Sequence, residues 1–145
     1  MKPTPKGWPR LSGSAFYQDA AAAIDWLCNA FGWEVRLKIE GEGGKIEHSE
    51  LVFGDAVIMI GEASRGTDKG RPTASPRSVG GANTQAMMLY VDDCEAHCAR
   101  SRAAGAKITY EPAVSDYGED YWADKSYEAE DLEGHRWWFC ERVRG

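Results

Sequence analysis

The chain repeats one set of landmarks about halfway along its length. Residues 17–19 are Tyr-Gln-Asp, and residues 90–92, 73 positions later, are Tyr-Val-Asp. Gly32 is matched at the same spacing by Gly105. A strand-like apolar run precedes each aspartate and an alanine-rich stretch of helical length follows it, so we expect Asp19 and Asp92 to cap helices that the two glycines end. Repetition at a fixed period indicates a duplicated strand–helix unit.

The residues after the first helix favour three strands. Residues 33–40 alternate apolar with polar side chains, which is typical of a half-buried strand. The glycine-rich segment 41–44 suits a turn, and Gly54-Asp55 suits a tight reversal between two further strands. The first module is therefore predicted to be βαβββ, with its third and fourth strands at 46–53 and 56–60.

The second half repeats this order, with a first strand at 86–91 and a closing strand at 137–140. We expect its third strand within 126–130. The sequence thus predicts an α+β fold of paired βαβββ modules that form U-shaped mixed sheets. The predicted modules span 10–62 and 85–142, with a loose N-terminal arm at 1–9 and a flexible linker, rich in Gly, Ser, Pro and Thr, at 63–84.

The overall composition excludes several classes of protein. The 145-residue chain has a formal net charge of -6, which disfavours a nucleic-acid partner because phosphate contacts need a basic surface. No apolar run approaches the roughly 20 residues that span a bilayer, and the first residues lack the apolar core of a signal peptide. We therefore expect a cytoplasmic protein that does not bind membranes, with its four cysteines as free thiols.

Several motifs in this layout carry a family resemblance. They are the helix start at 19–26, the Ala-Phe-Gly at 30–32, the Gly54-Asp55 turn and the ending Asp-Leu-Glu-Gly-His-Arg-Trp at 131–137. Together they resemble the vicinal oxygen chelate superfamily, most closely its glyoxalase/bleomycin-resistance branch, over residues 10–142. The resemblance implies a homodimer with a small-molecule cavity between its subunits.

The resemblance also implies where a metal ion would be held. In metal-dependent members the ligands come from the first and last strands of each module. The corresponding positions here are Ser12, Met59, Ala86 and Trp138. None of these side chains suits a divalent ion, which requires imidazole, carboxylate or thiolate. We therefore expect no metal ion and no other cofactor.

His48 and Glu50 lie two residues apart on the third predicted strand, so their side chains share a face. If Leu51 and Phe53 face the helix, His48 and Glu50 face the cavity. They could form an acid–base pair or ligate a displaced metal ion, but a polar lining without chemistry is the alternative that we favour.

Cys94, His97 and Cys98 share one face of the second predicted helix. Their spacing would allow zinc binding, but no fourth ligand is evident. Small cysteines are common in protein cores, so packing is the favoured interpretation. His135, which follows a turn glycine, is interpreted as structural.

Residues 111–133 contain nine acidic side chains, one basic side chain and four aromatic rings. Carboxylates beside π faces can hold a flat organic cation, which is the ligand type that this segment predicts. The alternative is a surface loop whose aromatic side chains pack at a dimer interface.

These observations lead to a hypothesis of metal-independent small-molecule binding or sequestration, with a cationic aromatic compound as one candidate ligand. The alternatives are a lyase, isomerase or dioxygenase-type enzyme with relocated metal ligands or a Glu50/His48 acid–base pair, and a module that senses a ligand or docks a protein. The candidate ligand-binding residues are Ser12, Ser14, His48, Glu50, Met59, Met88, Tyr117, Trp122 and Trp138.

Overall fold

The computed structural model describes residues 1–64 and 72–145. The part of the predicted linker at 65–71 lies outside the described residues, and two short 3-10 helices occur at Glu42–Gly44 and Pro76–Val79. The helices and strands are β1 (Gly13–Tyr17), α1 (Ala20–Phe31), β2 (Glu34–Glu40), β3 (Ile46–Phe53), β4 (Ala56–Glu62), β5 (Met87–Tyr90), α2 (Cys94–Ala103), β6 (Lys107–Asp116), β7 (Ala123–Glu130) and β8 (Arg136–Arg144).

These elements form two four-stranded mixed sheets with the same topology. The strand orders are β1-β4-β3-β2 and β5-β8-β7-β6. In each sheet the first strand of the module pairs in parallel with its last strand, and the other pairs are antiparallel. The predicted α+β fold of paired βαβββ modules is confirmed.

The helix ends follow the sequence in the first module but differ by one residue in the second. The Asp19 carboxylate accepts a hydrogen bond from Ala22 N, and Gly32 ends α1 with φ of 84°, a left-handed conformation that costs glycine little. The predicted Asp92 cap is wrong, because Asp93 accepts from Ala96 N and caps α2. The two helices therefore start one position further apart than the 73 residues that separate the repeated sequence landmarks.

That one-residue difference changes which face the matched tyrosines occupy. Successive strand residues alternate between faces, so a shift of one reverses them. Tyr17 is fully buried in the core, whereas Tyr90 is 47% exposed on the opposite side of its sheet. The structural counterpart of Tyr17 is Val91, which is buried.

Both modules contribute to one hydrophobic core, in which the two helices contact each other and each packs on the sheet of its own module. Phe31 at the end of α1 contacts Trp137 and Phe139 of β8, with ring centroids 5.6 and 4.7 Å apart. The largest apolar side chains that are fully buried are Trp137, Tyr17, Tyr127, Phe31, Phe139, Ile24, Leu27, Leu51 and Ile60. Neither helix of the described chain is long and apolar enough to cross a membrane.

The strand predicted at 33–40 is present as β2, but the prediction that one of its faces is buried is wrong. Trp33 is buried, but every residue of β2 is exposed, including Val35, Leu37 and Ile39. The cause is tertiary: β2 is the outer edge of its sheet, where no element of the described chain covers its apolar side chains.

Two further boundaries differ from the sequence prediction. The third strand of the second module begins at Ala123, not within 126–130, and β6 extends to Asp116. Much of the acidic segment is therefore paired strand. At the N-terminus, Trp8 of the predicted loose arm packs on Arg36 of β2, with the guanidinium carbon 4.6 Å from the ring centroid.

Candidate functional site

A cavity of about 920 Å³ lies between the edge strands of the two sheets, and residues 72–74, 76 and 82–86 contribute much of its wall. Its polar lining includes Ser14, Asn83 and Gln85. Among the described residues that line it, His135 alone has a titratable side chain. The larger apolar lining side chains include Phe16, Trp33, Val57, Met88, Leu89 and Trp137. This lining suits an apolar, uncharged ligand.

β1 and β5 are edge strands, so half of their main-chain N–H and C=O groups point away from the neighbouring strand of their own sheet. Within a strand, successive residues direct these groups to opposite edges. Tyr17 O accepts from Ala63 N at 2.8 Å on the β4 side of β1. Ser14 and Phe16 therefore direct their main-chain groups away from β4, towards the free edge.

A buried polar cluster closes one end of this edge. His135 Nε2 lies 2.8 Å from Phe16 O, so this nitrogen must donate. The Glu133 carboxylate accepts from Gln18 N and Asp19 N at 2.7 and 3.0 Å. These bonds tie the β7–β8 turn to the start of α1. The structural interpretation of His135 agrees with this arrangement.

Asp131 lies at the centre of that cluster. One carboxylate oxygen accepts from Tyr17 Oη at 2.5 Å and from Trp137 Nε1 at 3.0 Å. The other oxygen accepts from the main-chain N–H groups of Glu133 and His135. Burial raises the pKa of both Asp131 and Tyr17, and four donated hydrogen bonds offset the cost of burying the carboxylate.

The candidate residues from the sequence do not all reach this cavity. Ser14 and Met88 line it. Ser12 lies beside the N-terminal arm, in a smaller hollow of about 330 Å³ that Trp8 also lines. His48, Glu50, Met59, Tyr117, Trp122 and Trp138 are not part of the lining. In the single chain, Ser14 and Met88 are thus the two of the nine candidate residues that line this cavity.

The strand register also corrects the positions compared with metal ligands. β1 begins after Ser12, and β5 begins after Ala86. Met59 pairs with Ser14 and Trp138 pairs with Met88, so the facing positions hold serine, methionine and tryptophan. Over residues 1–64 and 72–145, no group of three or more His, Cys, Asp or Glu side chains could hold a metal ion. Serine, methionine and tryptophan side chains do not fit a divalent ion, which requires imidazole, carboxylate or thiolate.

His48 and Glu50 do form a pair, on the face of β3 opposite the buried Leu51. His48 Nε2 and Glu50 Oε2 are 3.0 Å apart, and Arg36 Nε lies 3.0 Å from Glu50 Oε1. The hydrogen bond with His48, followed by the contact with Arg36, lowers the pKa of Glu50. A carboxylate held ionised in this way is a weak proton acceptor.

The acidic aromatic segment already holds cations from its own chain. Asp116 forms a bidentate ion pair with Arg144, at 2.7 and 2.8 Å, which lowers the pKa of Asp116. The Arg142 guanidinium carbon lies 5.3 Å from the Trp122 ring centroid and 5.3 Å from that of Tyr90. Tyr117 packs beside Trp122, at 5.7 Å between centroids. A ligand cation would compete with Arg142 for the Trp122 ring.

Cys94, His97 and Cys98 belong to the packing between α2 and its surroundings. His97 Nε2 lies 2.8 Å from Phe31 O and must donate, so Nδ1 accepts from Tyr127 Oη at 2.6 Å. Both ring nitrogens are therefore occupied, and burial lowers the pKa of His97. Burial also raises the pKa of Cys94 to about 12. This geometry supports the packing interpretation.

Sequence reasoning missed most of the apolar cavity wall. Phe16 and Val57 lie on the neighbouring strands β1 and β4, Asn83 lies in the predicted linker, and Gln85 lies at the start of the predicted second module. The alternation of β1 could have indicated Phe16, which is two residues after Ser14. No local pattern identifies residues 72–86 as a wall, because their position depends on where the second sheet lies.

Comparison with known proteins gives a consistent family. The sequence model of the Glyoxalase/Bleomycin resistance protein/Dioxygenase superfamily matches residues 13–139. An uncharacterised protein of Mycobacterium bovis is 29% identical over 136 residues, which cover 94% of this chain and 85% of that protein.

Solved structures share the fold. TioX from Micromonospora sp. ML1 has a TM-score of 0.69 at 29% identity, covering 93% of this chain and 99% of that chain. A glyoxalase-related enzyme from Fulvimarina pelagi has a TM-score of 0.67 at 14% identity, covering 91% of this chain and 87% of that chain.

Proposed function

The chain belongs to the Glyoxalase/Bleomycin resistance protein/Dioxygenase superfamily, and we propose that it binds or sequesters a small organic molecule without a protein-held metal ion. The observation that carries this proposal is the cavity between β1 and β5. Its volume of about 920 Å³ is in the range of small-molecule sites, and its lining is mostly apolar.

The lining also supports a class of ligand. It contains no Asp, Glu, Lys or Arg among its described residues. A charged ligand would lose its hydration there without gaining an opposite charge, which costs free energy. The ligand of this cavity is therefore a largely apolar, neutral molecule with a few hydrogen-bonding groups.

Binding of a neutral fluorophore tests this proposal directly. We expect N-phenylnaphthylamine to bind, and Ala86→Trp to abolish binding because the new side chain fills the cavity beside Met87. Ala113→Trp is the matched control, since Ala113 is an exposed alanine outside the lining. Equal binding by both variants, or no binding by the unmodified protein, would contradict the proposal.

The metal-independent part has a separate test. Protein purified without added metal should contain no stoichiometric divalent ion, and a chelator should leave its melting temperature unchanged. The support is the donor set Ser14, Met59, Met88 and Trp138 at the facing strand positions. One tightly held equivalent of zinc, nickel or iron would contradict it, because a bound metal contributes to stability.

A cationic aromatic ligand at the acidic aromatic segment is a second candidate. Its support is the exposed surface of Tyr117 and Trp122 beside Asp116. Because Arg142 occupies the Trp122 ring, Arg142→Gln should increase the affinity for ethidium, and Trp122→Ala should reduce it by about 1–2 kcal/mol. Arg144→Gln is the control for net charge. If Arg142→Gln changes affinity no more than Arg144→Gln, this candidate fails.

A two-fold symmetric dimer is also part of the proposal. Leu37 and Ile39 of one sheet and Tyr110 of the other are at least 40% exposed. Exposed apolar surface of this kind marks interfaces. Sedimentation at micromolar concentration should give a dimer, and a monomer would contradict this part alone.

A further inference from the structure

We propose that residues 1–9 form a strap that occupies a binding site at Arg36, and that a ligand with an aromatic ring next to an uncharged carbonyl displaces this strap. Arg36 is not part of the lining of the cavity between β1 and β5. The inference therefore goes beyond the proposed function and does not depend on it.

The strap presents a preformed turn to the first sheet. Trp8 N donates to Pro5 O at 3.0 Å, and Gly7 has φ of 80°, so residues 5–8 form a turn whose third residue is left-handed. Glycine adopts this conformation at little steric cost. The turn places Gly7 O and the Trp8 ring against one guanidinium group, that of Arg36. The strap thus offers a carbonyl next to an aromatic ring.

Arg36 is the main attachment of the strap to the rest of the chain. Its guanidinium donates a hydrogen bond to Gly7 O, and the guanidinium carbon lies 4.6 Å from the Trp8 ring centroid. The other two hydrogen bonds of residues 1–10 in the described chain join residues within that segment. None of residues 1–12 is buried. Loss of the Arg36 side chain should therefore release the strap.

Side chains of the first sheet hold Arg36 in place as well. Arg36 Nε lies 3.0 Å from Glu50 Oε1, and Glu50 Oε2 lies 3.0 Å from His48 Nε2. An arginine oriented in this way can offer its remaining N–H groups and its flat face to a partner with little further ordering. Because the Glu50 carboxylate balances the charge of Arg36, the acceptor of that partner needs no charge of its own.

The hydroxyl of Ser12 opposes attachment of the strap. Ser12 Oγ is buried and has no hydrogen-bond partner among the described residues. It lies in the hollow of about 330 Å³ whose other lining residues are Thr4, Pro5, Trp8, Pro9 and Arg10. A buried hydroxyl without a partner costs free energy, which hydration recovers when the strap leaves. The attached strap is thus stabilised at Arg36 and destabilised at Ser12, which suits a segment that a ligand can displace.

Trypsin cleavage after Lys6, followed by mass spectrometry, measures release of the strap. Lys6 lies inside the turn, and cleavage follows the population in which the segment has opened. We expect Arg36→Gln to accelerate this cleavage about tenfold, since it removes a cation–π contact and a hydrogen bond from a charged group. Arg142→Gln is the matched control, because Arg142 lies over Trp122 in the second module. It should not change the rate.

Ser12→Ala tests the opposing contribution. The variant removes the unpaired hydroxyl, so cleavage after Lys6 should slow by about threefold. Ser115→Ala is the matched control, since Ser115 is an exposed serine of β6, and it should leave the rate unchanged. Equal or faster cleavage in Ser12→Ala would contradict a strap that Ser12 opposes.

N-acetyltryptophanamide tests the ligand, because it carries an uncharged carbonyl next to an indole. A ligand that binds only the vacated site shifts the strap towards release, so at about twice its Kd it should accelerate cleavage of the unmodified protein about threefold. N-acetylalaninamide keeps the carbonyl without the ring and should have no effect. The Arg36→Gln variant should show no further acceleration, which also controls for a direct effect on trypsin.

Several outcomes would overturn the inference. Arg36→Gln may not be cleaved at the rate of Arg142→Gln, and N-acetyltryptophanamide must not leave the unmodified protein unaffected or accelerate both proteins equally. If Arg36→Gln does not fold, Trp8→Ala with Trp122→Ala as its control gives the same comparison. None of these results bears on binding of N-phenylnaphthylamine, so failure of the strap and failure of the proposed function are distinguishable.

Discussion

The two modules have the same topology but hold their helices by different means. The buried face of α1 is entirely apolar, from Ala20 to Phe31. The buried residues of α2 are Cys94, Cys98 and Ser101, and the helix has little apolar periodicity. It is held by His97 and Ser101, which bond Tyr127 and the end of α1. The first module supplies apolar surface, and the second supplies polar contacts that orient it.

The turns before the last strands differ in the same way. In the first module, Gly54 and Asp55 form a short exposed turn. In the second, residues 131–135 form a buried turn whose Asp131, Glu133 and His135 reach β1 and the start of α1. The two modules thus share one topology, but the turn of the second module carries polar side chains that bind it to the first module.

The largest expected effect comes from breaking that buried turn. Asp131→Ala should lower the free energy of unfolding by about 3–5 kcal/mol, because it leaves Tyr17 Oη and Trp137 Nε1 buried without acceptors. Asp55→Ala, at the exposed turn of the first module, should cost less than about 0.5 kcal/mol. Urea unfolding measures both. Similar losses in the two variants would contradict the contrast between the turns.

The second prediction concerns the polar attachment of α2 and its pH dependence. The folded protein holds His97 neutral with a lowered pKa, whereas the unfolded chain takes up a proton near pH 6.5. The unfolded state therefore binds more protons, and stability should fall as pH decreases below about 6.5, until the folded pKa is reached.

His97→Gln isolates this effect. Glutamine can still accept from Tyr127 and donate to Phe31 O, so we expect a loss of about 1–2 kcal/mol at pH 7.5. Because glutamine does not titrate, the gap between variant and wild type should narrow between pH 7 and pH 5. Denaturant unfolding across this range measures it, and a constant gap would contradict a neutral buried His97.

Helix capping sharpens the comparison at the level of single residues. Asp19→Ala and Asp93→Ala should each lower stability by about 1 kcal/mol, because each carboxylate satisfies an N–H of the first helical turn. Asp92→Ala should have an effect below about 0.5 kcal/mol. Thermal unfolding can rank the three variants. If Asp92→Ala costs more than Asp93→Ala, the one-residue difference between the modules is wrong.

The smallest effect is expected on the outer faces. In the first module Trp8 of the arm covers Arg36, and in the second Trp122 lies over Arg142. Trp8→Ala and Trp122→Ala should each cost about 0.5–1 kcal/mol, the size of an exposed cation–π contact. A Trp8→Ala variant as stable as wild type would support the loose arm that the sequence predicts.

The candidate site was less predictable than the fold. The sequence identified Ser14 and Met88 because strand alternation near a capped helix is a local pattern. It placed His48 and Glu50 together for the same reason. It could not show that Arg142 and Arg144 neutralise the acidic aromatic segment, because these residues are distant in the chain and meet only when β6, β7 and β8 pair.

The sequence by itself determined the duplicated βαβββ order, the Asp19 cap and the Gly32 end of α1, because these depend on periodicity and on hydrogen bonds within one turn of chain. Only the tertiary structure decided the opposite placement of Tyr17 and Tyr90, the exposure of β2 and the cavity between β1 and β5. Each of these depends on which face another element covers, and a covering element can come from anywhere in the chain.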